Sequence, residues 1–77
     1  MIAFRTTFLG ITSIVAAETR GKAIASTLKS ADSAGYDVRG GWQKVRAVRA
    51  PEHDAWAEVD ATGVPWDERL LPKEVVK

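Results

Sequence analysis

No cysteine occurs among the 77 residues. That excludes a disulfide scaffold, a Cys-ligated zinc site and a thiol nucleophile. Asparagine is also missing while alanine is the commonest residue, a skew typical of GC-rich coding that says nothing about mechanism. Histidine occurs once, as His53. No stretch approaches the roughly 20 apolar residues that cross a bilayer. Residues 8–17 follow Arg5 and end in small residues, as a secretion signal does. Gly10, Thr12 and Ser13 dilute that run, and its removal would take the best strand material from a small chain. The expectation is a cytoplasmic protein.

What remains is 45% hydrophobic and 27% charged, the balance of a folded chain. The length allows one core, hence one domain. A chain this small buries only about 60% of its unfolded surface, so self-association as a homodimer is an expectation. The net charge of +1 does not by itself call for nucleic acid. Its distribution is uneven. Residues 1–50 hold eight cations against three acids, and residues 51–77 hold three against seven. A basic body with an acidic tail either folds back on itself or meets two different partners.

Residues 2–8 alternate, with Ile2, Phe4, Thr6 and Phe8 on one face. Residues 11–17 follow, with Ile11, Ser13, Val15 and Ala17 on one face. A turn centred on Leu9-Gly10 pairs Phe8 with Ile11 and Phe4 with Val15, which gathers the large apolar groups on one side. Leucine suits a two-residue turn poorly, which leaves a longer loop open as an alternative. Thr19 caps a helix over 19–34 with a stripe of Ile24, Leu28 and Ala31. Gly35 stops it and Tyr36 supplies the following apolar contact. Residues 42–50 read as a third strand, with Val45 and Ala47 on one face and Trp42, Lys44, Arg46 and Val48 on the other; Pro51 ends it.

The order implies an α+β fold. It is a ββαβ core over residues 1–51, with a mostly antiparallel three-stranded sheet in spatial order 2-1-3 and one helix on one face. Residues 52–77 form an acidic, Trp-containing extension of the same domain. Helical turns are expected over 51–57 and 65–71, each opened by proline, with 58–64 as connector and 72–77 frayed.

Arg20 and Lys22 stand in the first turn of the helix, where positive charge is unfavourable unless an anion answers it. Either they bind an anion or they are solvated surface charges. Gly21-Lys22 is shared with phosphate-binding loops, but positions 16 and 23 are both Ala, which removes the first glycine and the hydroxyl of that motif. The sheet face away from the helix is expected to show Arg5, Thr7, Thr12, Ile14, Trp42, Lys44, Arg46 and Val48. Such a face binds nucleic acid or is covered by the tail through Trp56 and Trp66, with tail acids pairing Lys44 and Arg46. The single Arg39-Gly40-Gly41 triplet reads as a flexible loop. Glu52-His53-Asp54 sits on one short turn with no second cluster at a fitting spacing, so no metal or catalytic group is expected. No cofactor is implied.

The stretch Ile14-Val15-Ala16-Ala17-Glu18-Thr19-Arg20-Gly21-Lys22-Ala23, the helix end Ala34-Gly35-Tyr36-Asp37-Val38 and the run Val45-Arg46-Ala47-Val48-Arg49-Ala50-Pro51 resemble small phage and prophage proteins, among which anti-CRISPR inhibitors are prominent. The resemblance spans roughly residues 2–51. It implies a non-enzymatic inhibitor of a type I CRISPR surveillance complex, type I-C in the first instance, acting in the host cell cytoplasm and blocking target DNA binding. Anti-CRISPR proteins share no diagnostic motif, so no residue role is carried over. Under that reading the acidic tail imitates a phosphate backbone, or the basic face grips acidic protein or guide RNA. The candidate partner-binding residues are Arg5, Arg20, Lys22, Trp42, Lys44, Arg46 and Arg49. The same residues serve the alternative, a small nucleic-acid-binding protein.

Overall fold

Alternation at period two builds the first two strands, β1 (Ile2–Phe8) and β2 (Ile11–Ala17). A computed structural model describes residues 1–60 and 62–71. The hairpin register follows the apolar pattern, with Phe8 opposite Ile11, Phe4 opposite Val15 and Ile2 opposite Ala17. The alternative of a longer loop does not form. Leu9 and Gly10 make a two-residue turn with φ of +52° and +78°. Positive φ at both central residues is what a tight hairpin needs to match strand twist, and here register overrides the poor fit of leucine.

Helix α1 (Arg20–Ser33) begins where Thr19 accepts a hydrogen bond from the Lys22 N–H at 3.2 Å. It ends on Gly35, with Gly35 N–H donating to Asp32 and Tyr36 N–H to Ala31, both at 3.0 Å. That paired closure satisfies carbonyls the helix would otherwise leave open. Its buried stripe of Ala23, Ile24, Thr27 and Leu28 lies on one sheet face, against Phe4, Phe8, Val15 and Ala47. Between these layers the Thr27 hydroxyl donates to the Thr6 hydroxyl at 2.8 Å.

The third strand is shorter than expected. A helical turn, α2 (Gly41–Lys44), precedes β3 (Arg46–Arg49). Gly41 is the cause: it is buried so close to Leu28 that a Cβ there would collide with the Leu28 side chain. This contact seats α2 against α1, and Trp42 and Lys44 leave the sheet. β3 pairs antiparallel with β1, giving the order 2-1-3 as a three-stranded antiparallel sheet.

The tail forms a second layer over the other sheet face. A 3₁₀ turn (Pro51–His53) leads into helix α3 (Asp54–Val59). Trp56, Ala57 and Leu71 bury Ala3, Ile14 and Ala16 beneath them. Ile14, expected on the face away from the helix, lies there under the tail with no exposure at all. The second expected turn is a 3₁₀ turn at Glu68–Leu70 and does not include Trp66. Trp66 instead closes the outer edge of β2 through two backbone hydrogen bonds with Ile14, both 2.8 Å. The expected fraying over 72–77 lies outside the described residues. No helix among the described residues is long and apolar enough to cross a membrane.

Candidate functional site

Tail and sheet meet at Arg5. From β1, its Nε and Nη2 donate to the two carboxylate oxygens of Glu68 at 3.1 and 2.7 Å, and Nη2 also donates to Glu52 at 2.6 Å. His53 Nε2 lies 3.0 Å from Glu68 Oε2. The hydrogen bonds from Arg5, then that with His53, hold the Glu68 carboxyl down at about 2. The same guanidinium lowers Glu52 and is itself raised by both carboxylates. One step along, Arg49 forks onto Asp54 at 3.0 and 2.7 Å. Asp54 also accepts from the Ala3 N–H, and its carboxyl sits at about 2 for these reasons in that order. Paired guanidinium forks are geometrically specific, so these contacts set where the tail lies.

Ligand atoms of Glu52, His53 and Glu68 fall within 4.8 Å of one another. A cation entering there would have to displace Arg5 from both carboxylates. The cluster therefore ties tail to sheet, with its charge already answered. Sequence reading placed His53 beside Glu52 and missed Glu68. Only the path of the tail brings Glu68 there, and no local signal announces it.

The candidate residues scatter. Arg5 and Arg49 are engaged by tail acids, where Lys44 and Arg46 had been expected to take that role. Arg20 donates Nε to the Ala47 carbonyl at 2.9 Å, and Lys22 pairs with Glu18 at 2.9 Å. The helix start is thus answered from within the chain. Trp42 and Lys44 lie on α2, and Arg46 opens β3. Trp42 is 58% exposed, and Val48 on β3 is also exposed. Among the described residues, Lys44 and Arg46 make no ion pair or hydrogen bond through their side chains, and of the other cations only Lys29 shares that state.

Between the hairpin tip and the end of α1 lies a small apolar cleft, with Phe8, Ile11, Ala31 and Tyr36 in its walls. Its polar side-chain groups are the hydroxyls of Ser13, Thr27, Ser30 and Tyr36, and Thr27 is already bonded to Thr6. No acid, base or cation lines it. Compared with protein-family models, with curated protein sequences and with solved structures, the chain matches none.

Proposed function

We propose that this chain is a non-enzymatic, phage-encoded inhibitor. It binds a type I CRISPR surveillance complex in the host cytoplasm and blocks target DNA binding. The observation that carries the binding part is the segment 41–49: it bears an exposed Trp42 and, in Lys44 and Arg46, two cations without an ion pair or side-chain hydrogen bond among the described residues. Tryptophan and arginine dominate binding energy at protein interfaces. The target itself is argued from the resemblance over residues 2–51.

A tail that imitates a phosphate backbone is the weaker version. Glu52, Asp54 and Glu68 are turned inward onto Arg5 and Arg49, and Asp67 is paired with Arg69. Direct nucleic-acid binding is also weakly supported. With Arg5 and Arg49 engaged, this segment offers two free cations, so log affinity would fall with log salt at a slope of only about −1.8 on duplex DNA.

The test is phage plating on a host carrying a type I system with a matching spacer. The chain restores plaques. The double variant Lys44→Glu/Arg46→Glu does not, while its thermal midpoint stays that of the parent. Equal destruction of phage with and without the protein defeats the inhibitor reading for that system. Pull-down before and after nuclease separates the alternatives. Complex subunits that survive nuclease support direct binding, and bulk nucleic acid lost on treatment supports the nucleic-acid reading.

A further inference from the structure

We propose that the apolar cleft between the hairpin tip and the end of α1 receives Leu9 of a second copy of this chain, reciprocally, in a two-fold dimer.

Leu9 is the knob. Its side chain stands at the tip of the hairpin, 55% exposed, on a left-handed backbone with φ of +52°. Glycine or asparagine would hold the same turn with less strain, and within one chain the leucine gains little burial in return. Backbone strain of this kind gathers at sites that bind.

The hole lies next to it. Phe8, Ile11, Ala31 and Pro65 wall a cleft of about 120 Å³. Pockets for small molecules run to about 300–1,000 Å³, whereas a cavity of about 150 Å³ takes one benzene-sized group. The space therefore suits a single apolar side chain. Ile11 and Tyr36, which also line the cleft, are exposed, so apolar surface continues around it.

A knob and a hole on one patch are self-complementary, as an isologous two-fold contact requires. Leu9 of each copy enters the cleft of the other, and Ile11 and Tyr36 cover it. Charge permits this pairing, because no charged residue lines the cleft. Arg46 stands opposite Thr7, on the sheet face away from Phe8 and α1. The half-exposed Leu9, Ile11 and Tyr36 offer on the order of 300 Å², taking large side chains at about 150–250 Å² each. A stable dimer buries about 800 Å² per copy, so this one is weak and depends on concentration.

Sedimentation equilibrium and amide chemical shifts, from about 1 μM to about 1 mM protein, read the association. The parent passes from monomer toward dimer over this range, and the shifts that move with it belong to Leu9, Ile11, Ala31 and Tyr36. Its thermal midpoint rises with concentration, since association stabilises only the folded form. Leu9→Asn keeps the turn and weakens the dimer about a hundredfold or more, because each dimer loses two buried leucines. At the dilute end, where both proteins are monomers, that variant shows only the relief of backbone strain. Lys44→Glu/Arg46→Glu leaves the dimer intact. A parent that stays monomeric at about 1 mM overturns the proposal and leaves the cleft to a foreign side chain. So does a dimer unaltered by a folded Leu9→Asn, a dimer lost in Lys44→Glu/Arg46→Glu, or one whose moving shifts map to α2 and β3. The parent's shifts decide the matter should Leu9→Asn fail to fold.

Discussion

Leu9 holds a left-handed backbone conformation at the hairpin tip with its side chain more than half exposed. Crowding of Cβ against the carbonyl makes that conformation cost about 1–2 kcal/mol for most residues, and asparagine tolerates it far better. Leu9→Asn is therefore expected to raise the thermal midpoint by about 4–8 °C in a domain of this size. An unchanged or lower midpoint in a thermal scan would show that the leucine side chain contributes more than its strain costs. Deeper in, Thr6 is fully buried and its hydroxyl is bonded to Thr27. Removing one hydroxyl strands the other, so Thr27→Val is expected to cost about 1–3 kcal/mol. Thr6→Val/Thr27→Val together should recover most of that, because two valines of similar shape leave nothing unpaired. Urea titration of the single and double variants measures the difference.

The tail is a structural layer, and its two tryptophans do different work. Trp56 is buried over Ala3, Ile14 and Ala16, so Trp56→Ala is expected to cost about 3–5 kcal/mol. Total stability at this length is about 4–12 kcal/mol, so that single change unfolds much of the population near the low end. Trp66 works through its backbone, which Trp66→Ala retains, and its ring is more than a third exposed. The expected cost is within about 1 kcal/mol. Far-ultraviolet circular dichroism against urea separates the two, and equal losses would contradict the assignment. Truncation after residue 51 should behave like Trp56→Ala or worse, since it bares one whole sheet face.

Over the whole molecule, the charge asymmetry is largely neutralised within the chain. The body's Arg5 and Arg49 are answered by the tail's Glu52, Asp54 and Glu68. Glu68 and Asp54 are held at about 2, below ordinary values of 4.5 and 3.8. A carboxyl lowered by folding stabilises fully above its unfolded value and loses that contribution as pH falls through the folded one. Stability should hold down to about pH 5 and decline from there toward pH 2. Arg5→Met should be less stable at neutral pH and decline less on acidification. Urea midpoints at pH 7, 4 and 2.5 provide the check, and equal midpoints at pH 7 and 2.5 would contradict it. Trp42, Lys44 and Arg46 take no part in this network. Variants there should alter partner binding and leave the acid profile alone.

Local chemistry was enough to read the hairpin, the helix and the sheet order. Alternating apolar residues specify which face is buried, and a one-residue slip would expose that face, so the pairing of Phe4 with Val15 was legible. Thr19 and Gly35 mark the helix ends because they satisfy backbone groups within a few residues. The start of β3 was not legible. Val45 and Ala47 alternate as a strand does, yet the closeness of Gly41 to Leu28 winds residues 41–44 into a turn, and that contact exists only after α1 has docked. Nor was the choice of ion partners. Arg5 and Glu68 are 63 positions apart, and they meet only where the tail crosses the sheet with Trp56 and Leu71 packed on it. Short-range propensity and periodicity thus determined the elements and their register. Which cations are spent inside the fold, and which are left without an ion pair on α2 and β3, was decided by long-range packing alone.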